Sequence, residues 1–145
     1  RAMAYWLMKS EPDVLSYDDV VAKGVPEEWH GVRNYAARNH MKAMQLGDQA
    51  FFYHSNIGKE IVGIVEVVAL AHPDSTAELN AKGEVVWECV DVRPVRKLIQ
   101  PVTLATIKQT PELAEMVVLQ RSSRLSITPV SEAHWTFITR RLLGD

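Results

Sequence analysis

The stretch QAFFYHSNIGKEIVGIVEVVAL, residues 49–70, decides how the chain is read. Residues 49–55 and 61–70 are rich in aromatic and β-branched side chains, and Asn56-Ile57-Gly58-Lys59 lies between them, which predicts a β-hairpin. A third long strand is expected over residues 85–95, where Val86, Glu88, Val90 and Val92 alternate with Val85, Trp87, Cys89, Asp91 and Arg93. Residues 4–8 form a short apolar run closed by the turn-prone Ser10-Glu11-Pro12-Asp13. As a strand, that run puts Tyr5 and Leu7 on one face and Trp6, Met8 and Ser10 on the other. Residues 127–130 add a further strand.

Helices surround these strands in the sequence. Ser16 caps a helix of about two turns, with Asp19 three residues on and Gly24 and Pro26 as the stop. Over residues 34–44, Tyr35, Ala37, His40, Met41 and Met44 recur at helical spacing before Gly47-Asp48. Residues 101–108 and 111–115 begin with prolines and read as short helices, and Ser131 with Glu132 opens a last helix with Trp135, Ile138 and Leu142 on one face. Residues 72–83 are polar and read as a loop. Strands and helices do not alternate as a doubly wound sheet requires, so the expected class is α+β, with a small, curved, mostly antiparallel sheet or barrel and flanking helices.

Length and composition bound the function. At 145 residues with 47% hydrophobic and 23% charged side chains, the chain is expected to form one globular domain over residues 3–145, with Arg1 and Ala2 as a cloning remnant. No apolar run approaches the roughly 18 residues of a membrane span. A single cysteine and no leader favour a reducing, cytoplasmic setting and no membrane partner. Sixteen basic against eighteen acidic residues exclude a polybasic protein that coats nucleic acid indiscriminately. Two acid-free stretches stand out all the same. Residues 29–47 carry Arg33, Arg38 and Lys42 with His30 and His40, and residues 116–131 carry Arg121 and Arg124. Folded together, they would make one positive face suited to a phosphate backbone; apart, they are ordinary solubilising charges.

Catalytic patterns are weak. His54 and Ser55, with Asp48 nearby, suggest a nucleophile, base and orienter, but neighbours on a strand point to opposite faces and cannot share the activating hydrogen bond. A His54 held by backbone groups or by a polar ligand is the better reading. Glu11 and Asp13 fall in a turn, and Asp18-Asp19 and Glu27-Glu28 fall at expected helix ends. The five histidines and one cysteine show no metal-ligand spacing, Cys89 reads as a small core residue, and no glycine-rich phosphate cradle is present. No cofactor is expected.

A denser pattern lies at the predicted strand ends. Tyr5-Trp6-Leu7-Met8-Lys9-Ser10-Glu11-Pro12 opens the chain, Gly31-Val32-Arg33-Asn34-Tyr35-Ala36-Ala37-Arg38-Asn39 follows Trp29, and Gly47-Asp48 leads into Phe51-Phe52-Tyr53-His54-Ser55-Asn56. Gly63-Ile64-Val65-Glu66-Val67, His72-Pro73-Asp74, Pro101-Val102-Thr103-Leu104, Arg124-Leu125-Ser126-Ile127-Thr128-Pro129-Val130 and Trp135 continue it. In these motifs and their order the chain resembles the EVE domain family of the PUA-like superfamily, to which YTH domains also belong. The resemblance implies a PUA-like curved sheet with flanking helices. It also implies a binding module that recognises a modified base in DNA or RNA, flipped or unpaired, without turnover.

Carried over motif by motif, the resemblance implies a base pocket of Trp6, Lys9, Ser10, Asn34, Tyr53, His54, Ser55, Leu125 and Ser126. Arg33, Arg38, Lys42, Arg121 and Arg124 are the candidates for backbone contacts. Simpler roles compete with each assignment. Trp6 and Tyr53 are equally readable as core, Asn34 as a helix cap, Ser10 and Ser55 as backbone caps, and the cations as partners of nearby acids. Trp29, Trp87 and Trp135 are assigned to packing. Many members of the family carry glutamine where this chain has Ala36, which removes one polar group beside the second motif. Two other classes stay open: an enzyme acting on a nucleotide or modified base, with His54 titrating beside Glu11 or Asp48, and a protein-interaction module. Which modification is read, DNA against RNA, and oligomeric state are left open as well.

Overall fold

A computed structural model describes residues 2–120 and 124–145. Six strands form one sheet: β1 (Tyr5–Ser10), β2 (Glu27–Glu28), β3 (Gln49–His54), β4 (Glu60–Pro73), β5 (Glu88–Thr103) and β6 (Ile127–Val130), in the order β2-β5-β4-β3-β1-β6. β1 and β3 run parallel, and every other neighbouring pair is antiparallel. The α+β class and the mostly antiparallel, helix-flanked sheet therefore stand. The sheet is open, with β2 and β6 at its edges, and does not close into the barrel held as the alternative.

The predicted hairpin joins β3 to β4 through a turn in which Asn56 and Gly58 take positive φ of 68° and 89°, values that asparagine and glycine tolerate best. Both long strands differ from their expected bounds. β4 runs on through His72 and Pro73, which read as loop, because His72 pairs with Cys89 and Pro73 with Glu88. β5 starts at Glu88 and continues through Pro101, which read as a helix start, because Val102 and Thr103 pair with Ile61 and Glu60. Glu27-Glu28, expected at a helix end, forms β2 against Val92 and Asp91. Buried Glu27 is held by Lys23 at 2.7 Å.

The helices are α1 (Tyr17–Lys23), α2 (Tyr35–Ala43), α3 (Leu104–Gln109) and α4 (Glu132–Phe137), the last continuing as a π-helical turn over Ile138–Leu142. Ser16 and Asp19 form the expected capping box on α1, and Asn34 accepts from the Ala37 N–H to cap α2. Among the described residues no helix is long and apolar enough to cross a membrane.

Strand alternation separates two apolar layers. Trp6, Met8 and Phe52 pack with Tyr17, Trp29, Ala37 and Met41 on one side. Leu7, Phe51 and Tyr53 pack with Ile107, Trp135 and Ile138 on the other. The split of β1 between Leu7 and the Trp6/Met8 pair follows the expected period of two. Gly63 allows one close approach: a Cβ there would lie 2.4 Å from the Tyr17 ring, whose hydroxyl donates to Ile64 O at 2.9 Å.

Candidate nucleic-acid interface

A cleft opens where the end of β1 meets the segment between β2 and α2. Two short bonds shape its β1 side. The Lys9 N–H donates to Ser126 O at 2.7 Å, drawing the segment before β6 alongside, and Ser10 Oγ donates to Leu15 O at 2.7 Å, folding residues 11–15 over the strand end. On the opposite side the Trp29 N–H donates to Val90 O, extending the β2 pairing by one residue. The chain then turns at Gly31, whose φ of 86° suits glycine and whose N–H donates to Asp74 Oδ2 at 2.8 Å.

The cleft so formed is about 230 Å³, with Lys9, Ser10, Trp29, Val32, Arg33 and Ser126 in its walls and Val14 and Leu15 adding apolar surface. This is below the roughly 300–1,000 Å³ of drug-sized sites and suits one planar heterocycle rather than a dinucleotide. Trp29 is held edge-on against Phe52 at 5.4 Å and 84°. Burial lowers the Lys9 pKa from its ordinary value. Ser10 Oγ uses its proton on Leu15 O, so its lone pairs are available to accept a ligand donor.

Asp74 anchors the cleft's cationic side. It accepts from Gly31 N, from Arg33 Nη1 at 3.0 Å, and from Thr76 N and Oγ1. Burial pushes its carboxyl upward, but the hydrogen bonds from Thr76, Gly31 and Arg33 outweigh burial and hold it at about 2.

From Arg33 an aromatic surface leads outward. The Arg33 guanidinium lies 5.7 Å from the Trp87 ring, Trp87 stacks on Tyr35 at 4.9 Å and 26°, and Arg38 lies 4.9 Å from Tyr35. Tyr35 is 60% exposed. Arg38 donates to the neutral acceptors Val86 O and Asn39 Oδ1. The positive face is smaller than the count of cations implied, because Arg33 pairs with Asp74 and Lys42 lies 3.5 Å from Glu88.

Of the residues singled out in the sequence, Lys9, Ser10, Arg33 and Ser126 come together at the cleft. Half-buried Leu125 and exposed Arg124 precede Ser126, and Arg121 lies outside the described residues. Other candidates are placed elsewhere. Trp6 is buried beneath α2, where its Nε1 donates to Asp48 Oδ2 at 3.1 Å and its ring meets His40 at 5.5 Å. Tyr53 belongs to the opposite apolar layer, a consequence of the alternation along β3. His54 Nε2 accepts from the Tyr17 N–H at 3.2 Å, and burial lowers the pKa of its ring. Ser55 donates through its backbone to Ser10 O, and the Asn34 side chain is the α2 cap. The suggested His54-Ser55-Asp48 grouping does not assemble, since buried Asp48 accepts from Trp6, Gln45 and Ala4.

Tyr35 and Trp87 are contributors that the sequence reading assigns elsewhere, Trp87 to packing and Tyr35 to a helical stripe. Trp29 borders the cleft but is a core residue, 5% exposed, as its assignment to packing has it.

Comparisons with known proteins follow the same geometry. The profile of the EVE domain matches residues 4–141. Thymocyte nuclear protein 1 of Gallus gallus is 37% identical over 92% of this chain, which spans 66% of that protein's length. A crystal structure of a protein from Agrobacterium tumefaciens is 51% identical, with a TM-score of 0.86 over 97% of this chain and 93% of that one. The human THYN1 protein, crystallised in complex with DNA containing 5-methylcytosine, is 33% identical with a TM-score of 0.86 over 98% of both chains.

Proposed function

The chain belongs to the EVE domain family, and from that premise we propose that it is a non-catalytic nucleic-acid-binding domain that takes a modified base, flipped or unpaired, into the cleft between Trp29 and the Lys9-Ser10 strand end. The cleft itself carries the reading: it has the size of one heterocycle, Lys9 and Arg33 among its lining residues, apolar surface from Val14, Leu15 and Val32, and a Ser10 hydroxyl with lone pairs to offer. The similar human protein in complex with 5-methylcytosine DNA makes that base the first probe.

The donor and acceptor pattern suits cytosine. Ser10 Oγ accepts from the exocyclic amine, the group that distinguishes cytosine from uracil and thymine. A 5-methyl group finds apolar surface on Val14, Leu15 and Val32. Burying one methyl contributes about 0.8 kcal/mol, or roughly fourfold in affinity, which sets the smallest preference expected. Apolar contact inside the cleft and hydrogen bonding along the base edge offset the few kcal/mol lost on unstacking. Outside the cleft, Tyr35, Trp87 and Arg38 receive the flanking strand.

The test is fluorescence anisotropy with short DNA and RNA oligonucleotides carrying cytosine, 5-methylcytosine or 5-hydroxymethylcytosine, at two salt concentrations. A preference of about fourfold or more for a modified base, reduced on Val14→Ser, with Ser10→Ala weakening modified and unmodified strands alike, is the expected result. Equal affinity for modified and unmodified oligonucleotides refutes the reading.

A further inference from the structure

The β2 edge of the sheet gathers a second group of polar side chains. Glu28 on β2 pairs with Asp91 on β5, and His72 on β4 pairs with Cys89 on β5. Directly paired residues share a face, and Cys89 and Asp91 are two apart on one strand, so all four side chains project to the same side of three adjacent strands. One donor atom from each of Glu28, His72 and Cys89 lies within 4.8 Å of the others. Cys89 is fully buried, whereas Glu28 and His72 are half-buried.

The imidazole is held as a metal-ligating histidine is held. His72 Nε2 lies 2.7 Å from Asp91 Oδ1 and Nδ1 lies 3.1 Å from Pro73 O. Coordination through Nδ1, in place of its contact with Pro73 O, leaves Nε2–H on Asp91 Oδ1, an acceptor that fixes the tautomer and raises ligand basicity. Glu28 is oriented by Ser75, whose N–H and Oγ both donate to Oε1, and its carboxylate also meets the Cys89 thiol.

We propose that Glu28, His72 and Cys89 form a binding site for a divalent transition metal ion of the zinc class, with Asp91 as the carboxylate that orients the imidazole. A sulfur, nitrogen and oxygen set matches zinc, whose bonds to these donors are about 2.3, 2.0–2.1 and 2.0–2.2 Å. Calcium and magnesium are disfavoured by the thiolate. Tetrahedral bonding at those lengths brings the donors to roughly 3.3–3.6 Å of one another, so the cluster must contract by about 1 Å. Rotamer changes at half-buried Glu28 and His72 supply this with Cys89 fixed. Three protein ligands leave a fourth position for water. The site adjoins the cleft, which Glu28 also lines, and its test does not use nucleic acid.

The chelator-treated chain is titrated with Co²⁺ and followed by absorption. One equivalent should bring up a thiolate-to-cobalt charge-transfer band together with the intense visible bands of tetrahedral cobalt, and Zn²⁺ should abolish both. Cys89→Ser should lose the charge-transfer band. Asp91→Asn, on a half-exposed side chain, should retain the band but weaken cobalt affinity about 10–100-fold. Circular dichroism checks that each variant is folded. No charge-transfer band in the unmodified chain at about a tenfold excess of cobalt overturns the assignment, whatever the variants do. Unchanged cobalt affinity in a folded His72→Gln variant overturns it as well.

Discussion

Trp6 Nε1 donates to Asp48 Oδ2 at 3.1 Å, a buried bond that joins β1 to the turn before β3. It gives both residues structural work. The tryptophan that resembled a stacking surface is oriented beneath α2, and the carboxylate that resembled a catalytic orienter also accepts from the Ala4 and Gln45 N–H groups. Asp48→Ala leaves these donors without their acceptor and should destabilise the fold by about 3 kcal/mol, measured by urea unfolding. Trp6→Phe removes one of the bonds and should cost about 1–2 kcal/mol. Oligonucleotide affinity of the folded Trp6→Phe protein should match the parent. A selective loss of affinity for the modified base would put Trp6 back in the recognition surface.

Tyr17 and Gly63 constrain each other in the same layer. With a Cβ at position 63 placed 2.4 Å from a fully buried ring, Gly63→Ala should cost about 1–3 kcal/mol through overpacking. Combined with Tyr17→Leu, the alanine should cost less than it does alone. Strict additivity in that double-mutant cycle would show that the ring is not what the alanine meets.

Asp74 should make stability fall in acid. Its folded pKa of about 2 lies below the ordinary 3.8, so its contribution is present above the unfolded value and is lost as pH falls toward the folded one. The full contribution is on the order of 2 kcal/mol. Urea unfolding of the parent and Asp74→Asn between pH 7 and about pH 2 should show a shallower loss in the variant. Parallel pH profiles would contradict the assignment.

Tyr35 and Arg38 should act on affinity without acting on selectivity. Tyr35→Ala on an exposed side chain should leave thermal stability nearly unchanged, yet weaken modified and unmodified oligonucleotides alike by about 1–3 kcal/mol. Arg38→Ala should reduce the slope of affinity against salt by about 1. A change confined to the modified base would place these residues at the base itself.

The apolar periodicities were legible because they are local. The alternation along β1 and β3 and the Ser16–Asp19 capping box appear where the pattern put them. Strand extents at Pro73 and Pro101 were not legible, since pairing between distant segments overrides local turn chemistry. The same limit applies to the cleft. Lys9, Ser10, Arg33 and Ser126 stand out in their motifs, but Trp6 is equally readable there as core or pocket, and only the packing of α2 over β1 decides that it is core. Glu28, His72 and Cys89 were invisible as a group because three strands from separate parts of the chain bring them together.

The central claim is that the Lys9-Ser10-Trp29 cleft reads a modified base. The most direct measurement compares the affinity of the parent and of Val14→Ser for one DNA oligonucleotide, with and without a single 5-methylcytosine. A preference of at least about fourfold for the methylated strand is expected in the parent, and a smaller one in the variant, which loses apolar surface that receives the methyl. Equal parental affinities, or a Val14→Ser variant that keeps the full preference, would contradict it.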